Sequence, residues 1–130
     1  MTRPIRIEIA PGELIDKITI LEIKAERIAD AAKRANVLAE LRTLTDARAA
    51  TIPLDGEIDR LAAELKTVNE ALWEIEDDIR ECDRDGDFGP RFVELARAVY
   101  RTNDRRAELK RAINLRLGSR LVEEKSYKPY

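Results

Sequence analysis

Between residues 58 and 82, apolar side chains recur at alternating intervals of three and four: Ile58, Leu61, Leu65, Val68, Leu72, Ile75, Ile79 and Cys82. A helix returns to the same face every 3.6 residues, so this repeat draws one apolar seam along a helix over residues 55–84. A seam of that length must be covered by another helix with a matching stripe. The sequence offers one. After Asp83 to Pro90, a turn rich in Asp and Gly, a second helical pattern opens at Pro90, a favoured first-turn residue, and runs over 90–117 to Gly118, a natural C-cap. The end of the first helix is acidic (Glu70, Glu74, Glu76, Asp77, Asp78, Glu81) and the second is basic (Arg91, Arg97, Arg101, Arg105, Arg106, Lys110, Arg111, Arg116). A short loop makes the two antiparallel, with opposite signs facing. Solvated charged faces are the plainer account of both runs, and exposed pairs contribute typically below about 1 kcal/mol each.

The residues upstream fit the same helical class. Ile5, Ile7 and Ile9 alternate with Arg6 and Glu8, which predicts a short strand or arm over 1–10 with apolar side chains on one face. A lone strand is not stable in water, so it must pair with another strand or with its copy in a second subunit, or lie over the helices. Residues 13–50 read as helical, either as one helix or as two divided at the potential cap Asp30. The first part carries Leu14, Ile18, Leu21, Ala25 and Ile28 on one stripe and Ile15, Ile20 and Ile23 off it, so it needs partners on more than one side. Pro53 and Asp55-Gly56 mark a turn, and residues 119–130 form a tail. The fold class is therefore mainly α: a single helical bundle over 1–130, with a long antiparallel coiled-coil-like hairpin and a short N-terminal β-strand.

Composition narrows function mainly by exclusion. The 130 residues contain no His, one Cys and five each of Gly and Pro. Without His there is no Ser-His-Asp or Cys-His centre within the chain. A net charge of −2 argues against a dominant nucleic-acid binder. There is no signal-like apolar run and no stretch near the roughly 20 apolar residues that cross a bilayer, so the expected location is the cytoplasm, without a membrane partner.

Three constellations bear on chemistry. On a helix that turns about 100° per residue, Asn103, Arg106, Lys110 and Asn114 fall within about 60° of Phe92, together with Leu95, Ala96, Val99, Ile113 and Leu117. Polar groups inside an apolar stripe need partners. They form either an anion pocket, with Asn69, Glu76 or Asp77 facing them from the preceding helix, or an internal network that fixes helix register. Second, Glu22 and Glu26, and Glu74 and Asp77, stand about one turn apart. Helical nucleotide pyrophosphohydrolases hold Mg²⁺ on acids of this kind, although their first pair is usually spaced by three rather than four. No other cofactor is indicated. Third, Asp83, Asp85, Gly86 and Asp87 start like a calcium loop with Glu94 in twelfth place. Phe88 occupies the required Gly position and Pro90 interrupts the loop, so a simple turn is expected.

Four segments carry a family resemblance: Pro11 to Lys24 (PGELIDKITILEIK), Asn69 to Arg80 (NEALWEIEDDIR), Tyr100 to Asn114 (YRTNDRRAELKRAIN) and Glu124 to Tyr127 (EKSY). Together they resemble an uncharacterised bacterial family known only as a domain of unknown function, numbered 6165. The resemblance spans nearly the whole chain. It implies a bacterial, stand-alone helical protein and supplies no activity, substrate or catalytic residue.

The residues themselves favour a helical interaction protein that self-associates as a homodimer, or that binds another protein. The supports are the oversupplied apolar surface of the first helix, the unpaired strand and the heptad seam. A small anionic-metabolite binder or enzyme built on the polar track is the alternative, and Mg²⁺-dependent nucleotide pyrophosphohydrolase-like chemistry is a third.

Overall fold

The computed structural model describes residues 2–130. Four helices account for most of them: α1 (Pro11–Arg27), α2 (Ala31–Thr51), α3 (Gly56–Asp85) and α4 (Pro90–Arg116). Residues 13–50 are thus two helices. The break lies at Ile28–Asp30, where Asp30 leaves helical geometry and its carboxylate accepts the Lys33 amide proton at 2.9 Å. That side-chain acceptor satisfies one of the four amides a helix start leaves orphaned.

α3 and α4 form an antiparallel hairpin. Asp55 meets Arg116, Glu64 meets Arg105, and Cys82 meets Arg91, so partners rise along α3 as they descend along α4. The turn between them is closed at Gly86, whose φ of +70° suits glycine alone at no steric cost. The amides of Gly86 and Asp87 return to the carbonyls of Asp83 and Cys82, and the Asp87 carboxylate accepts the Gly89 amide. These bonds make the Asp-rich segment the expected simple turn.

α1 lies against both helices of the hairpin on one side and against α2 on the other. Ile15 enters the main core with Ile58, Leu61 and Leu65 of α3 and Leu109 and Ile113 of α4, all buried. Each such side chain contributes about 1.5–3 kcal/mol by leaving water. The two-sided contact explains why α1 is apolar beyond a single stripe. By contrast, α2 has no fully buried residue. It offers α1 only the half-buried stripe of Val37, Leu41 and Leu44.

α1 has 17 residues and α3 has 30, so α1 covers only part of the hairpin. Between Asn69 and Cys82, and from Pro90 to Glu108, no residue is fully buried. Leu72, Ile75, Ile79, Phe92, Leu95 and Val99 are half-buried along that stretch. Two helices alone shield their shared seam from two sides only.

One expectation fails. Residues 5–9 form no strand, and no strand occurs among the described residues. Ile5 is 91 % and Ile7 75 % exposed. The physical reason is the absence of a second strand: with only helices nearby, the backbone of this arm has no ladder to join.

After α4 the chain reverses at Gly118 (φ +64°), and the Ser119 amide caps the Asn114 carbonyl at 2.9 Å. The tail then runs back along α4. Glu124 pairs with Arg111, Lys125 with Asp104, and the Tyr130 ring packs edge-on to Tyr100.

Candidate functional site

The polar track on α4 is the part of the molecule where the most buried polar groups converge. Its main partner comes from α1. Asp16 is 1 % exposed, and its carboxylate receives the Arg106 guanidinium through two hydrogen bonds, Nε at 2.9 Å and Nη2 at 2.5 Å. This fork-on-carboxylate geometry is the strongest ion pairing available to side chains. Asn69 of α3 donates its amide to Asp16 Oδ1 and to Thr19 Oγ1, both at 2.9 Å, while Thr19 donates to the Asp16 carbonyl at 2.8 Å. Three helices are thereby tied at one carboxylate.

One turn along α4, the Lys110 ammonium lies 2.8 Å from Glu13 and 3.4 Å from Glu123 of the tail. Burial pulls its pKa down, but the hydrogen bond to Glu13 and the charges of Glu13, Glu123 and Asp16 outweigh that and hold it above the ordinary 10.5. Arg106 is raised as well, chiefly by its hydrogen bond to Asp16. A turn further, Asn114 accepts the Gly12 amide at 2.8 Å. A Cβ on Gly12 would stand 2.4 Å from the Lys110 carbonyl oxygen, so glycine lets α1 touch the α4 backbone. The Asn114 Nδ2 is buried with no hydrogen-bond partner among the described residues.

The residues predicted from the sequence separate here. Asn69, Arg106, Lys110 and Asn114 join one connected region. Asn103 is half-buried beside it and lines the cleft between α4 and the tail. Glu76 and Asp77, expected to face the track, do not: Glu76 pairs with Arg80 at 3.2 Å on the surface, and Asp77 is exposed. The facing acids are Asp16 and Glu13 of α1, because α1 occupies the groove that α3 was expected to close alone. A signal for Asp16 was present. α1 is apolar on more than one side, so a polar residue set among Ile15, Ile18 and Ile20 has little access to water.

The electrostatics follow from these pairings. Arg106 and Lys110 bring two positive charges, and Asp16, Glu13 and Glu123 bring three negative ones. The track holds no surplus positive charge for an anion. Its pairings join α1, α3, α4 and the tail.

The acids considered for Mg²⁺ are dispersed. Glu26 pairs with Lys66 at 2.6 Å, and Glu74 pairs with Arg27, whose guanidinium also lies over Trp73. Among the described residues, no three Asp, Glu or Cys side chains, Glu22 and Asp77 included, form a group able to hold a metal ion. Beside the network, a cleft of about 1110 Å³ opens between α4 and the tail, walled by Tyr100, Asn103, Arg106, Lys110, Tyr127 and Tyr130. Among the described residues, no helix is long and apolar enough to cross a membrane.

The model of a family described as of unknown function, DUF6165, matches residues 5–130. The chain belongs to this family. The match takes in every structured element of the DUF6165 fold seen here, and also the arm from Ile5 onward, although that arm packs little of its surface. No curated protein and no solved structure matches the chain.

Proposed function

We propose that this DUF6165 protein is a helical interaction module that self-associates as a homodimer. The observation that supports it is the exposure of Ile5 and Ile7 on an arm beside a bundle whose Arg106 and Lys110 are already paired with Asp16 and Glu13. Exposed large apolar residues in alternation mark a surface that gains by pairing. On this reading the strand pattern of residues 5–9 is realised in the assembly, and the α3–α4 seam packs in coiled-coil fashion. Cys82, buried and unbridged, suits a reducing cytoplasm. Sedimentation equilibrium from low to several hundred micromolar chain tests the proposal. A concentration-dependent dimer is expected; a monomer throughout that range overturns it.

The cleft between α4 and the tail favours a second reading, a binder of a small anionic metabolite. Its volume of about 1110 Å³ is sufficient for a small-molecule site, and beside Asn103 its wall carries five basic side chains, Arg106, Lys110, Arg111, Lys125 and Lys128, against four acidic ones, Asp104, Glu108, Glu123 and Glu124, a positive surplus that the track lacks. A thermal-unfolding screen against phosphorylated and carboxylated metabolites separates it from the first. A ligand at about 100 times its Kd adds roughly 2.7 kcal/mol of stability, and silence across the panel discards this reading.

A further inference from the structure

Residues 4–10 read Pro-Ile-Arg-Ile-Glu-Ile-Ala, and this run is symmetric in chemical type about Ile7. Apolar residues stand two positions to either side of Ile7, and a base and an acid stand one position to either side. We infer that the arms of two copies pair as an antiparallel β-ribbon with Ile7 opposite Ile7 of the second copy. This inference rests on the self-association reading above and specifies its geometry.

Register decides the pairing. In an antiparallel pair, directly opposite residues point to the same face and interact most strongly. With Ile7 on the two-fold axis, Ile5 of each arm opposes Ile9 of the other, and Arg6 opposes Glu8. All the isoleucines then share one face and both ion pairs share the other. A slip of one residue sets isoleucine against Arg6 or Glu8 and moves the apolar set to the wrong face. A slip of two restores the faces but brings Arg6 against Arg6, or Glu8 against Glu8, and opposed like charges destabilise. Parallel pairing in register also sets like beside like. Parallel pairing shifted by two sets Arg6 beside Glu8 only once and does not close, whereas the Ile7-centred antiparallel register satisfies both faces with two ion pairs and is isologous, as a closed dimer requires.

The surroundings fit a second copy as the occupant. Arg6 has no ion-pair partner among the described residues. Glu8 is held at 2.6 Å by Arg120, but both side chains are largely exposed, at 65 % and 72 %. Such a pair is weak and readily exchanged for a cross-strand partner. The arm is tethered at Ala10, whose carbonyl accepts the Glu13 and Leu14 amides of α1, and Ile9 is already half-buried. Pairing therefore orders only a few residues per chain. It buries the side chains that folding of the single chain leaves in water.

The test uses the full chain in two arms. First, Ile7→Cys and Ile5→Cys are oxidised under identical conditions, with the wild type, whose sole thiol is the buried Cys82, as background. Cysteines at position 7 oppose one another, whereas those at position 5 sit roughly 13 Å apart along the ribbon, beyond disulfide reach. Cross-linking at least tenfold faster for Ile7→Cys is expected. Second, Arg6→Glu and Glu8→Arg are each expected to raise the dimer dissociation constant roughly tenfold, because two symmetric pairs turn repulsive, and the double exchange is expected to restore it. If the chain dimerises but cross-links equally at both positions, or the double exchange fails to restore affinity, the arm pairing is overturned and self-association stands. If the wild type is monomeric throughout, both are overturned.

Discussion

Asp16 of α1 and Arg106 of α4, ninety residues apart in the chain, meet in a two-point ion pair whose carboxylate is 1 % exposed. A carboxylate so thoroughly removed from water is tolerated because two donors point at it: the guanidinium from one side and the Asn69 amide from another. The pair does more to specify than to stabilise, since buried ion pairs roughly break even against apolar substitutes of the same shape. Its two-point geometry joins α1 to α4 at one register position.

A double-mutant cycle follows from that balance. Arg106→Met leaves the Asp16 carboxylate buried without its counter-charge and is expected to lower stability by about 3 kcal/mol. Asp16→Leu strands Asn69 and the guanidinium and costs about 2–3 kcal/mol. The double variant is expected to lose less than either single loss suggests, under about 2 kcal/mol, because the apolar replacements satisfy one another. Urea unfolding of the four proteins measures it. Strict additivity of the two losses would show the residues to be energetically independent and the network reading wrong.

Gly12 offers a test in which two effects have opposite signs. It lies in the first turn of α1, where alanine is favoured over glycine by up to about 1 kcal/mol on helix propensity alone. The added methyl, however, would stand 2.4 Å from the Lys110 carbonyl and 2.8 Å from Asn114 Oδ1. The first of these is backbone and cannot rotate aside. Gly12→Ala is therefore expected to destabilise by about 2–3 kcal/mol net, as overpacking does. A gain in melting temperature would mean that α1 does not approach α4 so closely.

How far the sequence reaches can be judged from these same residues. The hairpin was legible because Ile58 to Cys82 and the stripe from Phe92 to Leu117 each report a local period, and period is a property of a single segment. The polar track was legible for the same reason. Its partners were not. Asp16 and Glu13 lie about ninety residues upstream, and a helical wheel of α4 cannot say which element covers it. The acids of α3 at Glu76 and Asp77 were nearer in sequence and of the right sign, yet α1 occupies the groove. The strand expectation for residues 5–9 failed for a related reason: alternation states what a segment pairs with best, not whether the single chain supplies that partner.

Lys110 carries a pH signature. Its folded pKa is raised above the ordinary 10.5. A base with a raised folded pKa contributes stability that is fully present below its unfolded pKa and is lost as pH rises through the folded one. Stability should therefore decline on the alkaline side, above about pH 10. Lys66, raised mainly by its hydrogen bond to Glu26, and Tyr130, raised mainly by desolvation, act in the same sense. The readout is thus the difference between wild type and Lys110→Met. That difference is expected to be constant from neutral pH to about pH 9.5 and to shrink above it. A gap between the two unfolding free energies that stays fixed through pH 11.5 would show that Lys110 gains nothing from Glu13 and Glu123.

Removing residues 2–8 separates what the arm does for the chain from what it does between chains. Ile5 and Ile7 bury almost nothing in the single chain, and the ion pair of Glu8 with Arg120 is exposed at both ends. Surface losses of this kind usually change stability by no more than about 0.5 kcal/mol. In dilute solution, where any weak dimer is dissociated, the truncated protein is expected to melt within about 2 °C of the full chain. At several hundred micromolar the full chain should melt higher than it does when dilute, because association of the folded form adds stability by mass action, and the truncated chain should not. Differential scanning calorimetry at both concentrations measures the four temperatures. If truncation lowers the melting point equally at both, the arm is packed on the bundle and serves the monomer; if only the concentrated full chain gains, the arm serves assembly.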